Sequence, residues 1–501
     1  MTDLDRWLSL SPDDIRAHAE AASDAAMARE AALSEAARRA ADALRHPSTS
    51  PGVLTALAVF AEGFALTLAA WAGWLAAGQP APAALGLGAL SALVCVALGA
   101  AGGCHAATTL RAFWRGAPVV AAAWTAVAAA AALWLWSRGA TGLPWTLWLA
   151  GLAALVPVRA ATALAVDWCL DAGLTERRAV VVGGGGNAER LIRGLEANPE
   201  NDIRVVAIFD DRADDRSPPI VAGARKLGGV AELIAFARVA HVDMLIVTLP
   251  LSAEQRILRL LSALWVLPVD IRLSAYSSDF LFPRRSGEGG LIAVQRRTLE
   301  GLPRALKRGL DVCVALVALA LLWPVMAATA VAIRLESPGP IIFRQMRHGY
   351  NDRAVEVWKF RSMRADMADP TARRVVTRDD PRVTRVGRFI RRTSIDELPQ
   401  LFNVLAGTLS LVGPRPHVLN AVSSQAQTFG EIVGGYSGRH RVPPGITGWA
   451  QINGWRGEID DPEKLRKRFE HDLYYIENWS LWLDLKILLL TPFRLFSKNA
   501  Y

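Results

Sequence analysis

The stretch "VCVALVALALLWPVMAATAVAI", residues 312–333, decides how this chain is built. A helix needs about 20 apolar residues to cross a bilayer, and this run is long enough. Pro324 sits near its centre, where it would kink a helix. Lys307 and Arg308 precede the run and Arg334 follows it, so both flanks are basic. A full crossing would carry the most basic part of the chain away from the cytoplasm, against the positive-inside rule. A helix that enters one leaflet, bends at Pro324 and returns satisfies all three observations. The expectation is a re-entrant helix over 312–333, with a Pro-kinked spanning helix as the alternative.

Four more long apolar runs lie upstream, near 53–77, 83–104, 117–137 and 143–166. Each approaches or exceeds spanning length, and Gly, Pro or basic residues separate them. They predict four transmembrane helices within residues 51–170. Residues 10–46 are rich in Ala, Glu, Asp and Arg and read as an exposed helical segment, so residues 1–50 form a cytoplasmic N-terminal piece. Its polar, acidic start does not read as a cleavable signal peptide. Basic residues orient the helices. Arg6, Arg16, Arg29, Arg38, Arg39 and Arg45 precede the first. Arg111 and Arg115 follow the second, and Arg177 and Arg178 follow the fourth. Of the other two loops, only one is basic, through Arg138. Both ends of the four-helix region therefore face the cytoplasm. Arg159 fits poorly inside the fourth run; it is expected to snorkel or to mark the real end of that helix.

Composition agrees with a membrane protein. The chain has 501 residues, too long for one ordinary domain, and is 52% hydrophobic with 17 Trp against 6 Tyr. Many of those Trp lie in or beside apolar runs, as interface anchors would. Cys95, Cys104, Cys169 and Cys313 form no C-x-x-C pair and read as packing residues rather than metal ligands or disulfides. Residues 301–501 hold 29 Lys and Arg against 19 Asp and Glu, an excess of 10, while the whole chain is +9. The C-terminal part thus carries the entire excess. Such a surface suits acidic lipid headgroups, phosphorylated substrates or nucleic acid.

Residues 178–300 change character. "RRAVVVGGGGNAERLIRGLEANPENDIRVVAIFDD" reads as strand, Gly-rich turn, helix and strand, and "VDMLIVTLP" (242–250) as a further buried strand. This predicts a Rossmann-like α/β domain. Gly183, Gly185 and Ala188 fit G-x-G-x-x-A, with Asp210 after the next strand as a candidate ribose partner. A tight strand-to-helix turn with no ligand fits the same residues, and no nicotinamide cofactor is expected.

Residues 335–501 hold several clusters suited to phosphate. "VWKFRSM" (357–363) places Lys359 and Arg361 on one strand face. "VGRFIRRTSIDELPQLFNVL" brings Arg388, Arg391 and Arg392 up to Asp396 and Glu397. "LSLVGPRP" holds Arg415 between two prolines. "RVPPGITGWAQINGW" (441–455), with Arg441, Gln451 and Asn453, reads as a loop lip around a ligand. The plain reading of the carboxylate pair is a helix start. Ser394 and Glu397 fit the capping box S-x-x-E, and Pro399 is comfortable only in a first turn. The helix dipole and the arginines are expected to keep both carboxylates ionised. The reactive reading uses the same residues: an ionised Asp can attack phosphorus, and its Glu neighbour can bind Mg²⁺.

On these motifs residues 304–501 resemble the bacterial sugar transferases, the polyprenyl-phosphate hexose-1-phosphate transferases. The matching text is "KRGLDV", "ESPGPIIFRQMRHG", "WKFRSM", "RRTSIDELPQLFNVLAGTLSLVGPRP", "VPPGITGWAQINGW" and "FEHDLYYIENWSLWLDLKILLLT". The whole chain resembles the long subgroup: a four-helix transmembrane bundle, a Rossmann-like α/β domain and a mixed α/β catalytic domain with a re-entrant membrane helix. The resemblance implies transfer of a sugar-1-phosphate from a UDP-sugar to undecaprenyl phosphate, releasing UMP, as the first step of exopolysaccharide, capsule or O-antigen repeat-unit assembly. It implies Asp396 as the nucleophile that forms a phosphosugar–enzyme intermediate, Glu397 as the Mg²⁺ ligand, and Arg391 and Arg415 as basic groups near the phosphates. Lys359, Arg361 and Arg441 are further candidates for phosphate, and Gln451 and Asn453 for loop contacts with the nucleotide. The location implied is the bacterial inner membrane with the catalytic domain on the cytoplasmic face, among membrane lipids, with no nucleic-acid partner and with room for a homodimer. Glucose is the first expectation for the sugar and galactose the second. One departure stands out: small family members often carry Ser before the mid-helix Pro, where this chain has Trp323.

Two rival classes are weaker. A sugar-nucleotide dehydratase or epimerase would want Y-x-x-x-K, and none of the six tyrosines is followed four residues later by Lys. A membrane sensor or scaffold with an inert C-terminal part would not need the intact Asp-Glu dyad.

Overall fold

The computed structural model describes residues 33–45, 51–105, 109–110, 113–139, 145–171, 176–197, 201–213, 215–250, 252–274, 291–364, 381–419, 428–455, 457 and 461–495. The chain forms two compact units, one of residues 48–176 and the other of residues 177–501 with the N-terminal segment up to 47.

The first unit is built from α2 (Pro51–Ala76), α3 (Ala81–Ala101), α4 (Phe113–Ser137) and α5 (Trp145–Asp171). All four are long and apolar enough to cross a membrane. Small residues let them approach. A Cβ on Gly151 would lie about 2 Å from the ring of Trp124, which is buried and donates its indole N–H to the Trp148 carbonyl at 3.1 Å. Arg159 neither snorkels nor ends its helix. It lies midway along α5, 3% exposed, and pairs with the buried Glu62 of α2; its Nη1 also donates to the Cys104 carbonyl at 3.1 Å. His105 Nε2 lies 2.8 Å from the same Glu62 carboxylate. An ionisable side chain inside an apolar helix is tolerated where a partner of opposite sign is supplied. Cys95 and Cys104 are buried as packing residues, whereas Cys313 is exposed; all four cysteines are free.

The second unit begins with α1 (Glu35–Ala43). This segment is not wholly exposed: Ala37 and Ala41 are buried in the main core, and the Leu44 carbonyl accepts from the His241 amide at 2.8 Å. Residues 10–32 lie outside the described residues.

A seven-stranded sheet follows: β1 (Arg177–Val182), β2 (Ile203–Phe209), β3 (Ile220–Val221), β4 (Ala224–Gly228), β5 (Met244–Val247), β6 (Asp270–Ser274) and β7 (Leu291–Gln295), in the order β3-β4-β2-β1-β5-β6-β7. The five inner strands are parallel and the two edges antiparallel. β1 shows why such strands read as unbroken apolar runs. Ala179 and Val181 face the core under α6 (Gly186–Glu196), while Val180 and Val182 face the core holding α7 (Val230–Val239) and α8 (Glu254–Leu264). Both faces are covered, so both alternating sets must be apolar.

The C-terminal part opens with α9 (Gly301–Glu336), which contains Pro324. Its middle exposes Leu316, Val317, Leu321 and Trp323. An antiparallel hairpin follows, β8 (Ile342–His348) and β9 (Ala354–Phe360). Then come α10 (Arg385–Arg392), α11 (Gln400–Ala406), the parallel pair β10 (Ser410–Val412) and β11 (Gly445–Thr447), α12 (Pro462–Glu477) and α13 (Leu481–Leu495). The basic flank at Lys307 turns into the domain: its side chain is buried between the Asp484 carboxylate at 2.7 Å and the Val412 carbonyl at 2.9 Å.

Candidate active site

The Asp-Glu pair is not the capping box that its sequence suggests. Ser394 adopts a left-handed conformation, φ 57°, and its side chain caps nothing. Residues 395–397 form one 3₁₀ turn, and α11 begins only after Pro399. Glu397 does not reach back along the backbone because two partly buried cations claim it. Its Oε1 accepts from Lys359 Nζ at 2.8 Å and from Arg415 Nη2 at 2.6 Å, and its Oε2 lies 3.4 Å from Arg415 Nη1. Charge-assisted bonds of this kind outcompete a neutral cap.

Each partner is held from elsewhere. Lys359 lies near the end of β9. Asn403 of α11 grips that strand at both groups of one peptide stretch, accepting from the Trp358 amide at 3.0 Å and donating to the Glu356 carbonyl at 2.7 Å. It thereby fixes the helix behind the dyad against the strand that carries Lys359. α10 meets the end of β9 so closely that a Cβ on Gly387 would lie 1.9 Å from the Ser362 carbonyl oxygen. Arg415 follows the tight Gly413-Pro414 turn after β10. Its carbonyl accepts from Arg439 Nη2 at 2.9 Å, and Arg439 is itself paired with the buried Asp472 at 2.6 Å.

Asp396 is placed differently from Glu397. Its nearest ion-pair contact is Lys359 Nζ at 3.9 Å. Among the described residues its carboxylate accepts no hydrogen bond. The two acids therefore titrate apart. Burial opposes charge on Glu397, but Arg415 and Lys359 overcome it and hold that carboxyl well below the usual range. Burial pushes Asp396 up, against the pull of Lys359, and the Glu397 charge adds to the push; Arg391 and Arg415 pull it down. The dipole and arginines expected to keep both acids ionised thus act unequally, since burial beside a second carboxylate raises Asp396 while Glu397 is held low. Burial in turn lowers Lys359 against the pull of both acids.

Arg347, near the end of β8, belongs to the same group. Burial and then the Arg415 charge bring its guanidinium down to about 10, with Glu397 and Asp396 pulling it back up. Sequence reading passed over it. The available signal was the basic residue in "FRQMRHG" on a strand paired with the one holding Lys359.

The remaining sequence candidates divide. Arg391 ends α10 and acts on Asp396. Gln451 lines a cleft of about 670 Å³ with Glu397, Ser394, Thr447, Thr491 and Arg494; its Oε1 is buried with no hydrogen-bond partner among the described residues. Asn453 instead donates to the Trp449 carbonyl at 2.8 Å as a local helix cap. Arg361 lies one residue past β9, buried, with its guanidinium on the Ser337 carbonyl at 2.7 Å and on the Pro338 carbonyl. Arg441 is buried at the end of the 436–441 turn and does not line the cleft. Gly183 and Gly185 form the strand-to-helix turn with positive φ, and Ala188 is buried in the first turn of α6. Asp210 lines a cleft together with Gly183, Asp211, Arg256 and Arg259, and its carboxylate is already engaged within the chain. It accepts from the Gly184 amide at 2.6 Å and from the Arg212 guanidinium at 2.7 Å, and those bonds bring it to about 2 against the cost of burial.

A carboxylate pair in contact with Lys359 and Arg415 and in the field of Arg347 and Arg391, in a unit that carries a long apolar helix, has the chemistry of an enzyme that handles phosphates at a membrane. Comparison with known proteins agrees. Residues 302–498 match the bacterial sugar transferase family, and residues 101–275 match a CoA-binding domain family. The chain is 37% identical over 366 residues to the UDP-glucose:undecaprenyl-phosphate glucose-1-phosphate transferase of Escherichia coli K12, covering 71% of this chain and 76% of that one. It is 38% identical over 373 residues to the protein of the same name from Xanthomonas campestris, covering 73% and 75%. A UDP-N-acetylgalactosamine-undecaprenyl-phosphate N-acetylgalactosaminephosphotransferase of Aeromonas hydrophila is 46% identical over 187 residues, 37% of this chain and 42% of that one. The chain belongs to the bacterial sugar transferase family.

Proposed function

We propose that this protein transfers glucose-1-phosphate from UDP-glucose to undecaprenyl phosphate, releasing UMP, through a phosphoglucosyl–Asp396 intermediate. The reaction class rests on family membership and on the names of the long relatives. The covalent route rests on one observation: the partly buried Asp396 carboxylate accepts no hydrogen bond among the described residues, beside a second carboxylate that engages Lys359 and Arg415.

In the first half-reaction an Asp396 oxygen attacks the β-phosphorus of UDP-glucose. The bond from that phosphorus to the bridging oxygen breaks, and UMP leaves with the electron pair. In the second, a phosphate oxygen of the lipid attacks the same phosphorus and Asp396 departs. Lys359, Arg347, Arg391 and Arg415 hold the phosphates against the repulsion of two acids. The residues also fit Mg²⁺, because Glu397 Oε2 keeps only the 3.4 Å contact and can join phosphate oxygens around a hard cation. Bound there, Mg²⁺ would supply charge neutralisation at phosphorus. Radiolabelled UDP-glucose, UDP-galactose and UDP-N-acetylgalactosamine given to purified protein with undecaprenyl phosphate test the proposal. Lipid-linked glucose phosphate and UMP are expected; no lipid product from any sugar would sink it.

Lys359 gives a pH test. It is the strongest pull on Asp396 toward ionisation, so Lys359→Met raises the Asp396 pKa further. The nucleophile must be ionised, so the acid limb of kcat/KM moves to higher pH, and the rate at neutral pH falls by about 10²-fold. A limb that stays in place or moves down would argue against Asp396 as the titrating group.

The membrane arrangement proposed is four spans, α2–α5, followed by a Rossmann-like domain and a catalytic domain on the cytoplasmic side of the inner membrane, with α9 entering and leaving from that side. The sheet order, with β1 central and helices on both faces, supports the Rossmann-like reading. An even number of spans is supported by the chain on either side of the helices belonging to one unit. The re-entrant reading draws on the ends of α9. At its start Arg308 Nη2 donates to the Leu405 carbonyl at 2.7 Å, and Asp311 accepts from the Leu411 amide at 3.1 Å. At its end Glu336 accepts from the Arg385 amide at 2.7 Å and the Val386 amide at 3.0 Å. A straight helix would hold Asp311 and Glu336 apart by about 38 Å; a bent one brings both to the same small domain. Thr329, whose hydroxyl donates to the Val325 carbonyl at 2.8 Å, favours a bend next to Pro324 that Trp323 cannot support by hydrogen bonding. Leu335, 83% exposed, is the place to test it. Leu335→Cys should react with an impermeant thiol reagent only from the cytoplasm; reaction only from the periplasm would make α9 a spanning helix.

A further inference from the structure

Away from the dyad, three side chains meet at the turn of the β8–β9 hairpin. His348 ends β8, Asp352 lies in the hairpin turn, and His440 comes from the 436–441 turn. Asp352 Oδ1 is 2.7 Å from His348 Nδ1 and 2.9 Å from His440 Nδ1, and the three atoms lie within 4.8 Å of one another. One carboxylate oxygen thus serves both imidazoles. His440 is only 6% exposed, and its Nε2 is buried with no hydrogen-bond partner among the described residues.

The surroundings select the kind of occupant. Arg238 of α7 takes the other carboxylate oxygen, Oδ2, at 3.0 Å, and so leaves Oδ1 to the two imidazoles. Asn351 and Asp352 both adopt left-handed backbone, φ 54° and 60°, a conformation Asn and Asp tolerate best. Two imidazole nitrogens and one carboxylate oxygen form the donor set of a borderline transition metal, whereas Mg²⁺ prefers oxygen alone.

We propose that His348, Asp352 and His440 bind a divalent transition metal of the Zn²⁺ class, with water completing the shell, separately from any Mg²⁺ at the dyad. Its place gives it a structural task. Asn351 Nδ2 donates to the Ala237 carbonyl at 2.9 Å, and Arg353 donates to the Arg238 and Val239 carbonyls, so the hairpin turn is already seated on α7. The metal ties that turn to the 436–441 segment, which carries Arg439 and through it the Arg415 carbonyl. It thus fastens the sheet, the hairpin and the loop behind Arg415.

The test uses full-length protein in detergent, stripped with chelator and titrated with Zn²⁺ and Co²⁺. The expected result is one Zn²⁺ per chain, retained in excess Mg²⁺, with visible Co²⁺ bands and a higher Tm on Zn²⁺ addition. His348→Gln, at a half-buried position where folding is not at stake, should weaken Zn²⁺ binding by at least about 10-fold and remove the Tm response. His440→Gln should do the same. Binding far below one equivalent, or unchanged affinity in His348→Gln, would overturn the proposal.

Discussion

Asp396→Asn is expected to reduce sugar-phosphate transfer by at least about 10³-fold while the protein stays folded. The substitution keeps the shape of the side chain and removes only its charge and nucleophilic oxygen. Because Asp396 accepts no hydrogen bond among the described residues, little structure depends on it. It also takes away a negative charge beside Glu397, which eases the repulsion between the two acids. Tm should therefore hold or rise slightly, and UDP-glucose binding should survive. Loss of stability together with loss of rate would mean that Asp396 is structural. Rates within a few fold of the parent would mean that another group attacks phosphorus.

Arg415→Ala should be the second most damaging change, and it should damage fold and rate together. Arg415 supplies two of the three contacts to the partly buried Glu397. Removing it leaves Lys359 alone to balance that carboxylate beside Asp396, at a cost of about 1–3 kcal/mol. A fall in Tm is expected, with a loss of about 10²–10³-fold in rate from the missing phosphate contact. Arg415→Lys should recover part of the stability but little of the rate, because an ammonium cannot reproduce the two-pronged contact. Full recovery by Lys would show that only the charge at this position matters.

The sequence exposed the parts of this protein that depend on neighbours a few residues away. The apolar runs, the glycine turn at Gly183–Gly185 and the basic approach to Asp396 were all readable because each is local. What failed depended on distant partners. Ser394 and Glu397 spell a capping box, but Lys359, 38 residues upstream, and Arg415, 18 residues downstream, take the Glu397 side chain. Arg159 looked misplaced until Glu62 of another helix met it. Arg361 read as the strand-face twin of Lys359, yet β9 ends one residue before it and its guanidinium turns to the Ser337 carbonyl. Asn403 carries no signal at all, since an Asn within a short helix gives no hint that it grips a strand. The left-handed Ser394 is equally silent in sequence, although it sets the angle at which the dyad leaves α10.

The most direct measurement is to incubate the purified protein with UDP-[¹⁴C]glucose and Mg²⁺ without any lipid acceptor. Label bound to the chain is expected in step with UMP release, on the peptide that contains Asp396, and absent from Asp396→Asn. Adding undecaprenyl phosphate should then discharge it into lipid. UMP that appears only when the lipid is present, with no label ever on the chain, would contradict the covalent route and point to direct transfer between the two substrates.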